Sequence, residues 1–399
     1  MRMKWLLINQ FYPPAAAPTG RLLCDLAHAL IVQGHEVTVI ASAESYQQGA
    51  NAGRMEDGSV RVLRLGQPAK GKLSLPAKLW SYGQFYRLAD RALAEYSAYA
   101  DAIVSLTTPP FIGALAAKHA ARRRIPFYLW CMDLYPEALV ANGNIRFGSA
   151  AHRVLMRYAL RERGGAKAII SLGPDMTDRL KHDFPDKVME IPVWSDLPTS
   201  PEVESAARAL RRQRGWQDDE VILLYSGNMG RAHRVEEFIQ LARQLRNSGC
   251  RARVVMAGHG PQKAAWIKKS GDLFEFLDYV ETGNLAVHLA SADIHLVSQQ
   301  PAWTGIVVPS KFQSACALAK PVIFAGPEDC SVARWIRQHD AGWILRPDNH
   351  DDIIKVIADV TNSQRWLNKS NHASALASFC FDKANNLSKM LGVITSNVP

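Results

Sequence analysis

At 399 residues with 48% hydrophobic content, the chain is too long for one ordinary core and well supplied for two, since domains run to roughly 100–200 residues. Its net charge of +10 is uneven: the first 200 residues hold 24 Lys/Arg against 17 Asp/Glu (+7), and the rest hold 23 against 20 (+3). Such an excess of base favours anionic partners; nucleic acid is set aside, because no RNA-binding strand motif, zinc-finger spacing or polybasic tail accompanies it, which leaves anionic lipid headgroups and phosphorylated substrates.

The apolar run Lys4-Trp5-Leu6-Leu7-Ile8 is too short for a signal peptide and reads as a first strand. Residues 37–41 form a second apolar run, and between the two, over 20–33, Leu22, Leu26, Ala29 and Leu30 recur at helical spacing. Residues 102–106, 126–130 and 168–171 continue the series as strands, with a helix over 152–162. This alternation predicts a parallel sheet covered by helices on both faces. One long uncharged stretch, 102–117, is broken by Pro109-Pro110 and falls short of the ~20 residues of a membrane span. From Asp183 to Gly215 the pattern is interrupted by Pro185, Pro192, Pro198 and Pro201 with turn-forming Ser195-Asp196 and Thr199-Ser200. The expected division is a first domain over 1–190 and a linker over 191–215.

Alternation then restarts, with strands at 221–225, 252–257, 276–279, 294–297, 321–324 and 342–345 and a helix over 235–246. A second domain is expected over 216–375, and 376–399 as a C-terminal helix packing back on the first domain, within a helical stretch that opens near 363. The fold class predicted is α/β, with two successive doubly wound, Rossmann-like domains. Cys24, Cys131, Cys250, Cys316, Cys330 and Cys380 are scattered without paired spacing, which suits a reduced, cytoplasmic protein.

The chemistry concentrates in the second half. Gly-Ile-Val-Val-Pro-Ser-Lys, ending at Lys311, leads into an apolar helical stretch. A helix N-terminus exposes unpaired N–H groups, so Ser310 and Lys311 beside it predict a phosphate site. Strand 221–225 runs into Ser226-Gly227-Asn228-Met229-Gly230-Arg231, where glycines let backbone approach a ligand at a strand end and Arg231 is suited to bidentate phosphate binding. Gly258-His259-Gly260-Pro261 repeats the strand-then-glycine layout after 252–257. A tight turn with a solvated arginine accounts for the first of these loops equally well; three such loops together favour a ligand. His233 follows Arg231 in the same loop and is a candidate donor contact. In the first half, Thr19 either caps a helix or faces a ligand, and Asp133 and Glu137 follow a strand end, where catalytic groups collect. Asp133 is either functional or a structural carboxylate paired with an arginine. His28, His35, His119 and His152 lack paired ligand spacing, so no metal site is expected.

The order of these segments resembles the retaining GT-B glycosyltransferases of the family 4 type over nearly the whole chain, in particular the bacterial enzymes of exopolysaccharide and O-antigen assembly. The resemblance is carried by Phe11-Tyr12-Pro13-Pro14 with Thr19-Gly20, Gly34-His35-Glu36-Val37, Asp133-Leu134-Tyr135-Pro136-Glu137, Ser226-Gly227-Asn228-Met229-Gly230-Arg231 and Pro309-Ser310-Lys311. It implies two domains facing across a cleft, a nucleotide-sugar donor as substrate with no separate cofactor, and a lipid-linked or saccharide acceptor. It further implies that Gly227, Asn228, Gly230, Arg231, His233, Gly258, Gly260, Ser310, Lys311 and Ser314 bind donor. Arg231, Lys311 and Asp133 are implied as catalytic, and Thr19, Gly20 and Glu137 as acceptor-side. The chain departs from the family pattern at one place: two glutamates seven residues apart in many members are here Ile306 and Ser314. No Asp-any-Asp triplet occurs, which is consistent with metal-independent transfer.

Two alternatives remain at this stage: a nucleotide-sugar epimerase of the same plan, and a non-catalytic subunit of a polysaccharide assembly complex. A Rossmann dehydrogenase is disfavoured because the loop after residues 5–8 lacks Gly-any-Gly-any-any-Gly. The stretch 70–93 mixes Lys70, Lys72, Lys78, Arg87 and Arg91 with Leu79, Trp80, Tyr82, Phe85 and Tyr86. With Arg122-Arg123-Arg124 and the arginines at 153, 157, 161 and 163, it reads either as a peripheral contact with the anionic inner membrane face or as a solvated basic helix.

Overall fold

Most strands in this protein are short and apolar on both faces, as burial inside a parallel sheet requires. The computed structural model describes residues 2–15, 17–43, 54–57, 60–66, 75–346, 348–360 and 364–396, with backbone alone at 54–57, 75–81 and 282. The chain divides into two units, Met1–Ile191 with Leu387–Pro399, and Pro192–Asn386.

In chain order unit 1 runs β1 (Lys4–Ile8), α1 (Pro18–Val32), β2 (Glu36–Ser42), β3 (Arg54–Asp57), β4 (Val60–Leu65), α2 (Leu75–Tyr96), β5 (Ala102–Leu106), α3 (Ile112–Arg123), β6 (Phe127–Trp130), α4 (Glu137–Ala141), α5 (Ala150–Gly165), β7 (Ala168–Ser171), α6 (Pro174–Asp183) and β8 (Val188–Glu190). Its sheet has the order β3-β4-β2-β1-β5-β6-β7-β8. All pairings are parallel except β3 with β4, an antiparallel edge that the apolar pattern did not announce. Every residue of β5, β6 and β7 is buried. From β1 the order runs through β2 one way and β5 the other, and such a reversal opens a ligand crevice at the strands' carboxyl ends.

Unit 2 runs α7 (Pro201–Gln213), β9 (Val221–Ser226), α8 (Glu236–Asn247), β10 (Ala252–Ala257), α9 (Lys263–Ser270), β11 (Phe274–Leu277), α10 (Leu285–Ala290), β12 (Ile294–Ser298), α11 (Lys311–Ala317), β13 (Val322–Ala325), α12 (Ser331–His339), β14 (Gly342–Ile344), α13 (His350–Ala358) and α14 (Gln364–Cys380). A final helix, α15 (Lys383–Thr395), starts in unit 2 and ends among the residues grouped with unit 1. The all-parallel sheet has the order β11-β10-β9-β12-β13-β14, reversing between β9 and β12. Alternation along β9 sends Val221, Leu223 and Tyr225 into the core on one face and Ile222 and Leu224 into the core on the other. Both units are thus doubly wound α/β.

The stretch 191–215 is not extended throughout: it contains α7, whose first turn carries Pro201 after Ser200, and the Ser200 hydroxyl accepts from the Val203 N–H at 3.5 Å. Proline at the first helical position loses no hydrogen bond and pre-sets φ, so here it starts a helix. The expected single terminal helix is two, α14 and α15, parted at Phe381-Asp382.

Candidate functional site

At the sheet reversal in unit 2 three loops meet: 227–235 after β9, 258–262 after β10, and 299–310 between β12 and α11. The first two are laced together by backbone. The Gly227 N–H donates to Ala257 O at 2.9 Å, the Met229 N–H to His259 O at 2.8 Å, and the Gln262 N–H to Met229 O at 3.1 Å. Gln262 Nε2 donates to Gly230 O at 3.0 Å, and the Tyr225 hydroxyl closes the turn by donating to Asn228 O at 2.7 Å. Gly227 and Gly258 are glycine for two reasons. Both hold positive φ (134° and 129°), and a Cβ at Gly227 would lie 2.7 Å from Lys311 Cε, while one at Gly258 would overlap Gly227 O. Gly260 is packed as closely on Met229 O, and Gly230 lies beside the Asn228 amide.

Into this backbone frame comes Lys311, the first residue of α11. Its ammonium lies 5.0 Å from the centre of the Tyr225 ring and 3.2 Å from His233 Nε2. His233 Nδ1 sits 2.7 Å from Ser298 O, a pure acceptor, so Nδ1 carries the proton and Nε2 offers its lone pair to Lys311. Burial, then the nearby Lys311 charge, push the His233 pKa down to about 3, so the ring is neutral. Lys311 is held by an aromatic face and a neutral imidazole, with no carboxylate partner among the described residues, and burial pulls its pKa down to about 8. A cation so desolvated, with Gly227 against its stem, is suited to an anion.

The α11 turn is fixed from behind: Phe312 stacks on Trp335 (5.9 Å, 8°), and Phe381 stands edge-on to both, contacts worth about 0.5–1.5 kcal/mol each beyond their area. Ser310 is exposed, with helical backbone and no capping hydrogen bond from its side chain, and the Phe312 N–H is taken by Pro309 O. Ser314 Oγ lies 3.3 Å from Ser195 Oγ, which donates to it. Ile306 is buried and apolar. Arg231 is exposed on the β9 loop. The structure therefore brings Gly227, Asn228, Gly230, His233, Gly258, Gly260 and Lys311 together, and leaves Ser310 and Ser314 outside that contact network. Tyr225 and Ser298 are members that the sequence reading missed: both lie in apolar strand runs that look like core alone.

In unit 1, the Thr107 hydroxyl at the end of β5 accepts the N–H groups of Met132 (3.0 Å) and Asp133 (3.1 Å), presenting Asp133 after β6. Its carboxylate takes no protein hydrogen bond or ion pair among the described residues, and burial raises its pKa to about 6. The structural carboxylate is Glu137 instead. Both its oxygens are taken by Arg163, at 2.8 and 2.9 Å, and the same guanidinium donates to Tyr135 O at 3.0 Å. Burial alone would raise the Glu137 pKa, but the Arg163 fork outweighs it and holds the carboxyl below its usual range. Arg163 is thus buried, and it corrects the reading of that arginine as surface charge. Beside it Glu162, buried against Gly113, is pushed up to about 7 by burial, with Arg163 opposing.

Thr19 is the second residue of α1, not its cap, which is Ala17. Its hydroxyl is 3.5 Å from Asn9 Nδ2, while a Cβ at Gly20 would press on Phe11 and Tyr12 backbone at 3.1 Å, so glycine lets α1 sit on the loop after β1. Of the basic stretch 70–93, Lys70 and Lys72 lie outside the described residues, and Lys78, Leu79 and Trp80 are described in backbone only; Arg87 and Arg91 are exposed on α2, and Phe85 is buried.

Unit 2 gathers its polar residues at the sheet reversal and unit 1 at the ends of β5 and β6, so the chain is a two-domain α/β architecture with a polar site in each domain. Comparison with known proteins identifies it. Residues 19–194 match the glycosyl transferase 4-like domain, and residues 207–376 match the glycosyl transferases group 1 domain. Over 335 residues, 79% of this chain and 81% of the relative, it is 25% identical to the Escherichia coli (strain K12) protein named "Putative colanic acid biosynthesis glycosyl transferase WcaI". Among solved structures, a sucrose-phosphate synthase from Thermosynechococcus elongatus superposes with a TM-score of 0.73 at 15% identity, covering 99% of both chains. HepE from Anabaena in complex with UDP superposes with a TM-score of 0.67 at 15% identity, covering 99% of this chain and 100% of that one. The chain belongs to the glycosyltransferases of the GT-B fold, with a family 4-like first domain and a group 1 second domain.

Proposed function

We propose that this glycosyltransferase moves a sugar, with retention of configuration, from a nucleotide diphosphate donor to a lipid-linked or saccharide acceptor in surface-polysaccharide assembly at the inner face of the membrane. The observation that carries the reading is Lys311: a shielded ammonium without a carboxylate partner, held against Tyr225 and His233 beside the Gly227 and Gly258 loops. A diphosphate supplies the missing countercharge, and its charge grows as the sugar–phosphate bond breaks, so a fixed cation in a shielded site stabilises the transition state more than the ground state. Lys311, with Arg231 on the adjoining loop, does this work without a divalent ion. His233 keeps the Lys311 ammonium on station by accepting from it through Nε2.

Gly258 and Gly260 border the nucleoside, and Ser314 keeps a hydroxyl proton to offer the ribose. In unit 1, Asp133 binds a hydroxyl of the sugar or acceptor through a carboxylate that no described protein group occupies, with Thr19 and Gly20 on the acceptor side. Glu137 acts there indirectly, through Arg163. The reading draws support from the UDP bound to HepE and from the colanic acid role in the name of the Escherichia coli relative. No described helix is long and apolar enough to cross a membrane.

The test is a melting series with UDP, GDP, ADP and dTDP. At about a hundredfold excess over Kd, a ligand of the native state alone stabilises it by about 2.7 kcal/mol. One nucleotide is expected to raise the melting temperature, and a flat response to all four rejects the donor assignment.

A further inference from the structure

Four large apolar side chains stand out in one short stretch of unit 1: Phe147 is 76% exposed, Val154 and Tyr158 48% each, and Leu160 40%. They are interleaved with arginines. On α5, Arg153, Arg157 and Arg161 fall at i, i+4, i+8 and form one column along the helix. Val154 and Tyr158 make a parallel row on one side of it, and Leu160 flanks the other. His152, Ala159, Glu162 and Arg163 turn the opposite way, into unit 1. Just before the helix, Arg146 is exposed, and Phe147 rests on the His152 ring at 4.8 Å, held there because the Ser149 hydroxyl caps α5 by accepting the His152 N–H.

The exposed charge of this segment is of one sign. Between residues 138 and 174 the one acid is Glu162, and it is buried. Among the described residues none of Arg146, Arg153, Arg157 and Arg161 enters a salt bridge. A merely solvated helix face carries acids that pair at i, i+4; this one carries four unpaired guanidinium groups and four apolar side chains at the same level. The apolar groups are spaced singly along the helix, and each is suited to enter a headgroup layer while the guanidinium groups fork onto phosphates.

We propose that the outer face of α5, with Arg146 and Phe147, is the surface on which this protein docks on anionic phospholipid. Of the basic groups that the sequence joined to the 70–93 stretch, the surface uses only Arg153, Arg157 and Arg161, and it adds Arg146 and the four exposed apolar side chains. It deepens the proposed use of a lipid-linked acceptor and rests on that reading for its purpose, though docking is measured without turnover.

The test is co-sedimentation of the full chain with phosphatidylglycerol–phosphatidylcholine vesicles and with pure phosphatidylcholine vesicles at low salt. Wild type is expected to pellet with the first alone and to be released by salt. Each arginine near an anionic surface strengthens partitioning about fivefold, so R153A/R157A/R161A is expected to bind roughly a hundredfold more weakly. Single variants R153A, R157A and R161A are expected to show the graded loss, should the triple variant not fold. F147A/Y158A weakens binding while keeping its salt dependence. Wild type left in the supernatant, or a triple variant that folds and pellets like wild type, overturns the proposal. K311M separates the two readings: it is expected to lose nucleotide binding yet pellet like wild type, so a failed donor site leaves the docking result standing, and the reverse.

Discussion

Lys311→Met tests the donor site through stability as well as binding. An unfolded lysine keeps its proton to about pH 10.5, whereas in the fold burial brings Lys311 to about 8. Between those values the unfolded chain binds more protons, so this group's contribution to stability rises with pH across the window, and below pH 8 the fold bears the full penalty. The gap corresponds to about 3 kcal/mol, and the part of the side chain that solvent still reaches lowers the expectation to roughly 1–3 kcal/mol. Methionine fills similar volume and suits the Tyr225 ring. K311M is therefore expected to be more stable than wild type without ligand at pH 7, with the gain shrinking as pH climbs through 8 towards 10.5, while nucleotide no longer stabilises it. Urea unfolding followed by fluorescence, with and without nucleotide at several pH values, reads both. A variant less stable than wild type at pH 7, or one stabilised by nucleotide as wild type is, refutes the reasoning.

Other consequences follow from the same geometry. Asp133, with its pKa raised to about 6, is ionised above that value; kcat is expected to fall as pH drops through about 6, and the limb to be absent in D133N, whose residual rate is flat there. Arg163→Met leaves Glu137 buried without its fork, which costs about 3–5 kcal/mol by precedent for half-broken buried pairs; thermal unfolding is expected to drop sharply, with nucleotide affinity in unit 2 unchanged. Gly227→Ala forces a side chain into positive φ and against Lys311; calorimetry is expected to show nucleotide affinity reduced at least tenfold, with backbone strain of about 1–3 kcal/mol.

Most strands were legible because burial on both faces leaves continuous apolar runs such as those of β5, β7 and β10, whose predicted and observed bounds coincide. The missed strands show the converse. β4 interrupts its run with Arg61 and Arg64, β3 is mostly charged, and β8 is three residues long. α7 was hidden by Pro201, which signals a break until a capping Ser200 is seen before it. Within the candidate site, glycine at strand ends was readable because a close backbone approach excludes other residues. Tyr225 was not, since an aromatic at the end of an apolar strand has the same pattern whether it packs in the core or faces a lysine 86 positions later. Arg163 looked like one more basic surface residue; only the fold brings it to Glu137, 26 positions away.

The central claim is that unit 2 holds a nucleoside diphosphate through Lys311. Isothermal titration of the purified chain with UDP, GDP, ADP and dTDP, beside K311M, tests it directly. One of them is expected to bind wild type with 1:1 stoichiometry, with an affinity that weakens as pH rises above about 8 where the free ammonium loses its proton, and K311M is expected to give no heat. Equal binding by K311M, or none by wild type, would contradict it.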